Sequence, residues 1–149
     1  MKYGVVKVKN NIIKKFALCA AALALYSLAS CSSGPPVIPE DLSVMQFFQR
    51  AQEETDTNDW DNALVYYNTF IERHPDDLPN VMAARYEIAY IHYKEDEYQE
   101  AADGFQQILD FYETTPLPFS FPLWQKVLSQ KLLGTLAEKG VTPSSTGGE

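Results

Sequence analysis

The chain has 149 residues, enough for one small domain, and carries 12 basic and 20 acidic side chains. The charge is divided along it: residues 1–30 hold five lysines and no acid, whereas residues 31–149 hold seven basic residues against twenty acids, a formal charge of −13. That sign excludes nucleic-acid binding, which needs a basic face to displace counterions from phosphates, and it excludes electrostatic attraction to an anionic lipid surface.

The first element is N-terminal. Residues 1–15 are basic, and Phe16–Leu28 (FALCAAALALYSL) is an uncharged apolar run. The run is too short to span a bilayer comfortably. A basic region, a short apolar core and small residues in that order predict a secretory signal peptide over 1–30. Leu28-Ala29-Ser30-Cys31 resembles the lipobox of bacterial lipoproteins, in which a branched aliphatic residue and two small residues precede a cysteine. The resemblance implies cleavage between Ser30 and Cys31, a diacylglyceryl group on the Cys31 thiol, and an acyl chain such as palmitate on the new amino terminus. Each buried methylene adds about 0.8 kcal/mol, and two or more chains anchor stably where one does not. Ser32, standing where an aspartate would retain a Gram-negative lipoprotein in the inner membrane, implies an outer-membrane location facing the periplasm. Removal of Cys19 with the signal leaves one cysteine, so the mature chain has no intramolecular disulfide and no Cys/His zinc spacing.

Residues 31–40 then read as the lipidated cysteine and a flexible tether. Ser32–Pro39 (SSGPPVIP) holds three prolines, and eight residues at about 3.1 Å each would reach roughly 25 Å. Four amphipathic helices are predicted near 41–55, 58–73, 79–94 and 97–113, with polar turns at Thr55–Asp59 and Glu95–Glu97. Pro75 stops the second helix, and Leu78-Pro79 opens the third. A self-similarity organises them. Aligning Trp60-Asp61-Asn62-Ala63 with Tyr98-Gln99-Glu100-Ala101 also brings Ala51 onto Ala89, Tyr67 onto Phe105 and Phe70 onto Ile108, at an offset of 38 residues. A Pro-rich loop (Leu117–Pro122) leads to a fifth helix over about Leu123–Lys139, stopped at Gly140. Its Trp124, Val127, Leu128, Leu132 and Leu136 are expected to cover the open end of the second hairpin, since a terminal repeat otherwise exposes an apolar face. The polar residues 141–149 are expected to be a disordered tail.

The hairpin pattern over 41–116 resembles the tetratricopeptide repeat. Small residues (Ala51, Ala63, Ala89, Ala101) stand where paired helices cross, and Phe47, Tyr67, Ile88 and Phe105 fill the spaces beside them. The expected fold class is therefore all-α, a short tetratricopeptide-like solenoid of two helix-turn-helix repeats with a loop and capping helix over 117–140. Tyr67-Asn-Thr-Phe70-Ile71-Glu-Arg-His-Pro75 looks like repeat units of outer-membrane assembly lipoproteins of the BamD type. Ala84-Arg-Tyr86-Glu-Ile88-Ala89-Tyr90 is similar to repeats there and in periplasmic cell-division coordinators. The likeness is of repeat units, so it implies a class, an envelope scaffold that binds other proteins in outer-membrane assembly or envelope maintenance, and no particular partner.

No constellation for catalysis is visible, and neither an enzyme nor a cofactor is expected. The two histidines, His74 and His92, fall in different repeats without a ligand spacing. No phosphate loop, nucleophile elbow or H-E-x-x-H occurs. Asp76-Asp77 and Glu95-Asp96-Glu97 lie at turns, where carboxylates favour helix starts. The binding candidate is aromatic. Tyr86, Tyr90 and Tyr93 recur at i, i+4, i+7 on the third helix, and Phe48 and Gln52 occupy the equivalent positions of the first repeat. Since first helices line the groove in repeats of this type, these five residues form a candidate peptide groove. The alternative is that the C-terminal helix packs back onto the tyrosines and fills it. Two functions remain in view: a membrane-tethered scaffold for an envelope protein or peptide, with self-association as a variant, and a ligand-binding accessory subunit of an envelope transport system, which would need an enclosed apolar pocket.

Overall fold

The computed structural model describes residues 34–116 and 121–144. All but Gly34 lie in the second of the chain's two compact units, residues 35–149. The signal segment, Ser30 and Cys31, the middle of the Pro-rich loop and the last five residues lie outside the described residues. Every regular element described is a helix: α1 (Val44–Asp56), α2 (Trp60–Arg73), α3 (Leu78–Lys94), α4 (Tyr98–Thr114) and α5 (Trp124–Glu138). Among the described residues no helix is long and apolar enough to cross a membrane.

Local chemistry sets the helix ends. Ser43 caps α1 in a capping box, its hydroxyl accepting from the Gln46 N–H at 3.4 Å while its own N–H donates to Gln46 Oε1 at 2.9 Å. Asp59 accepts from the Asn62 N–H at the start of α2. Pro79 sits in the first turn of α3, where its missing N–H has no intrahelical acceptor to serve.

The 38-residue repeat holds at the level of single backbone bonds. Asn58 after α1 and Asp96 after α3 both take the left-handed conformation, with φ of 59° and 63°. Asn and Asp tolerate that region better than other residues bearing a side chain. After each, the chain closes the preceding helix in the same way: Asp59 N–H donates to Glu54 O, and Glu97 N–H to His92 O, both at 2.9 Å. These are Schellman closures, and they reverse the chain so that the next helix returns along the last. α5 ends likewise, with Gly140 at φ 82° and Val141 N–H donating to Leu136 O.

α1 pairs with α2 and α3 with α4; α2 packs on α3, and α5 lies mainly on α4 with a lesser contact to α3. The alanines that repeat (Ala51, Ala63, Ala89, Ala101) are all buried, as are Tyr67, Phe70, Phe105 and Ile108. One core gathers Phe47, Phe70 and Met82 between α1, α2 and α3. A second gathers Phe105, Ile108, Tyr112 and Leu136 between α3, α4 and α5. Burying a side chain of this size contributes about 1.5–3 kcal/mol, so the two cores hold the hairpins together more than helix propensity does.

Three expectations change. α5 does not cover the second hairpin with its whole apolar set. Leu136 is buried and Leu132 half-buried, but Trp124, Val127 and Leu128 stay 42%, 58% and 37% exposed. The face turned inward carries Gln125 and Ser129 instead, both buried. The reason is the anchor at the helix start, where the Tyr112 hydroxyl donates to the Pro122 carbonyl and stands 3.2 Å from Gln125 Oε1. That places Gln125, not Trp124, against α4. Next, the far end of the expected tether is fastened down: the Arg73 guanidinium donates to Pro39 O at 2.6 Å and Ile38 O at 3.3 Å, and Ile38 packs on the first core. Finally, residues 142–144 of the expected tail lie along α4. Ser144 N–H donates to Asp103 and Gln99 donates to Thr142 O.

Candidate functional site

Residues of α1 and α3, with Tyr67 of α2, line a common open cleft of about 650 Å³. Val44, Met45, Phe48, Gln49 and Gln52 recur at helical spacing and form one wall. Asn80 and Glu87 of α3 form the other, and Tyr67 closes the floor. Phe48 is held rigidly, its ring edge-on to Tyr67 at 5.6 Å and to Phe70 at 5.3 Å. Met45 is 77% exposed beside it.

The polar groups of the cleft divide into two kinds. Those of the rim are engaged locally: Gln49 donates to Glu53 at 2.9 Å, Gln52 to Asp56 at 3.0 Å, and Asn80 to Asp77 at 2.8 Å. Glu87 differs. Burial pushes its carboxyl above the ordinary range, because a carboxylate in a partly dry site loses hydration. Among the described residues no cation is paired with it; the one ion pair there joins His92 and Glu97. Its field is felt by the tyrosines beside it. Burial and then Glu87 raise the Tyr67 hydroxyl, and burial, Glu87 and Tyr90 push Tyr86 up to about 12. Both phenols, protonated at neutral pH in any case, are held further from ionisation and can donate hydrogen bonds.

The five residues expected to form a groove are placed in two settings. Phe48 and Gln52 line the cleft. Tyr86, Tyr90 and Tyr93 form a ladder along α3, with Tyr86–Tyr90 and Tyr90–Tyr93 centroids each 6.2 Å apart and the planes 8° and 19° from parallel. Trp124 of α5 stands edge-on to Tyr86 at 5.1 Å, and Tyr98 continues the ladder from Tyr93 at 6.0 Å. Tyr86 is buried, and Tyr90 and Tyr93 pack against the same core as Leu132 and Leu136. α5 thus packs back toward the stripe. Sequence reasoning did not single out Glu87. Its signal was a lone acid between Tyr86 and Ile88 on a groove-facing helix, where a solvated turn residue would not be found.

The histidines serve packing and local bonding. His74 stacks on Phe70 at 5.1 Å, and His92 Nδ1 lies 2.6 Å from Glu97 Oε2. Among the described residues no three His, Cys, Asp or Glu side chains converge as metal ligands would. A smaller cleft of about 210 Å³ lies on the α3–α4 seam, with Arg85, His92, Glu100 and Asp103 around it.

No family model matches the chain, and no solved structure matches it. The chain is similar to an uncharacterized protein of Treponema pallidum (strain Nichols), with 32% identity over 109 residues. The match takes in 72% of this chain and 43% of that protein, so the chain spans less than half the length of the curated relative.

Proposed function

We propose that this protein is a membrane-anchored lipoprotein of the bacterial envelope, built as a short tetratricopeptide-like array that scaffolds protein–protein interaction. The observation that carries the reading is the 38-residue recurrence of a whole hairpin, down to the left-handed Asn58 and Asp96 and the matching closing bonds Asp59 to Glu54 and Glu97 to His92. Hairpins that recur in this way stack into surfaces rather than enclosing a reaction centre. An open cleft walled by Val44, Met45 and Phe48 is the kind of surface on which a peptide docks. The lipobox-like Leu28–Cys31 supplies the anchor, and outer-membrane assembly or envelope maintenance is the setting that the repeat likeness favours. The chemistry is binding, without catalysis or cofactor.

The experiment is photo-cross-linking in intact cells from a benzophenone amino acid at Gln52, which is exposed on the cleft wall. Specific envelope proteins captured from Gln52 but not from an exposed position on α4 such as Gln107 support the reading. Equal capture from both positions, or none, overturns it. The anchor is tested separately: radiolabelled palmitate should enter the wild type and not Cys31→Ala, and label retained in the variant would refute lipidation there.

A further inference from the structure

We propose that the α1–α3 cleft receives an arginine side chain of the partner segment, with Glu87 as its counter-ion and the Tyr67 hydroxyl as a neighbouring hydrogen-bonding group. This rests on the scaffold reading above and names the chemistry that the scaffold's surface selects.

The argument is one of unmet electrostatics. Glu87 is half-buried in the cleft wall, yet no cation is paired with it among the described residues. A carboxylate so placed gains from any cation that enters, since attraction is stronger in a partly dry cleft than in water. The carboxamides of Gln49, Gln52 and Asn80 donate to Glu53, Asp56 and Asp77 on their own segments, and among the described residues none donates to Glu87. Two of those acceptors, Glu53 and Asp56, lie on α1 outside the cleft lining. None of the residues lining the cleft is basic, and the segment after the expected cleavage site is at −13. The field at the cleft is therefore negative at short and at long range, which favours approach of a positive segment.

The walls decide which cation. Phe48, half-buried and held edge-on to the buried Tyr67, presents fixed aromatic surface, and Val44 and Met45 present aliphatic surface. Guanidinium is planar, weakly hydrated and able to lie on an aromatic ring while donating in its plane to a carboxylate. A lysine ammonium is more strongly hydrated and offers no plane. An arginine flanked by apolar residues thus matches the floor and the walls together.

The test uses the full chain in dodecylmaltoside and a fluorescein-labelled, end-capped peptide with one arginine between two leucines, alongside the same peptide with the isosteric neutral residue citrulline. Wild type should bind the arginine peptide about tenfold more tightly than the citrulline peptide, the size of one charge-assisted hydrogen bond. Glu87→Gln should bind both equally. Equal affinity of wild type for the two peptides, or discrimination that persists in Glu87→Gln, overturns the assignment. Circular dichroism of Glu87→Gln separates lost binding from lost fold, and Glu87→Lys extends the test, with a glutamate in place of arginine expected to be preferred. The outcome is distinct from failure of the scaffold reading. Capture from Gln52 that survives unchanged in Glu87→Gln removes the arginine site and leaves the scaffold, whereas no capture from Gln52 removes the scaffold.

Discussion

Gly104 of α4 lies so close to Ala89 of α3 that a β-carbon placed on it would stand 2.8 Å from the Ala89 β-carbon and 3.5 Å from its α-carbon. The atoms in the way are a backbone carbon and the carbon attached to it, so nothing can swing aside. Gly104→Ala gains about 1 kcal/mol of helix propensity but forces a packed crossing apart, which costs about 1–3 kcal/mol. The variant should be less stable by up to about 2 kcal/mol. Gly134, in the middle of α5, has nothing within 4 Å of its added β-carbon. Gly134→Ala should therefore be more stable by about 1 kcal/mol. Urea unfolding of the two variants side by side checks the contrast; a gain in both would mean that the α3–α4 crossing is looser than described.

The same crossing shows where the sequence was legible. The recurring alanines, the two turns and, to within two residues, the limits of the last four helices follow from periodicity, small residues and the prolines at 75 and 79, since each is a local signal; α1 instead starts at Val44, three residues later than expected, where Ser43 caps it. Gly104 is not of that kind. Its counterpart one repeat earlier is Tyr66, a large buried residue, so the alignment that finds the alanines gives no hint that the second hairpin closes on a glycine. The face of α5 was misjudged because hydrophobicity was its only guide. Trp124, Val127 and Leu128 share a helical stripe, yet the Tyr112 hydroxyl near Gln125 turns a polar pair inward. Glu87 becomes a feature only when residues of α1 and α3 line one cleft, a relation that spans the first hairpin and has no sequence period.

Tyr112 fixes the start of α5 through Pro122 and Gln125. Tyr112→Phe keeps the ring and removes the hydroxyl, leaving the Pro122 carbonyl without its donor and the buried Gln125 side chain against an apolar ring edge. The expected loss is about 1–3 kcal/mol. It should appear first in α5, because that helix packs chiefly on α4, with a lesser contact to α3, at one end of the array. Amide exchange should accelerate in α5 while α1 and α2 keep their protection. Uniform acceleration along the chain would show instead that α5 unfolds only with the rest.

Ser129 faces inward beside this latch, fully buried, and its Oγ finds no hydrogen-bond partner among the described residues. A buried hydroxyl left in this state costs about 1–3 kcal/mol of desolvation. Ser129→Ala removes the hydroxyl and leaves a smaller apolar side chain, so the thermal midpoint should rise. A fall would mean that a bridging water satisfies the hydroxyl in solution.

Glu87 makes stability depend on pH in the direction opposite to a salt-bridged acid. Its carboxyl titrates above the ordinary value of 4.5 when folded, because burial disfavours the charged form. Between 4.5 and the folded value the native state holds more protons than the unfolded chain, so stability falls as pH rises through that window. Below 4.5 both states are protonated, and above the folded value both are ionised and the penalty is complete. Tyr67 and Tyr86, the titratable neighbours whose hydroxyls Glu87 affects, are pushed upward and stay neutral throughout. Glu87→Gln should therefore be more stable than wild type at pH 7, and the difference should shrink on acidification toward pH 4 as the wild-type carboxyl becomes neutral. Denaturant midpoints of both proteins across that range measure it. An arginine peptide should act in the same sense on the wild type alone, raising its midpoint at pH 7 and losing that effect in acid. A Glu87→Gln advantage that is absent at pH 7 would show that the carboxylate is already well hydrated in the empty cleft.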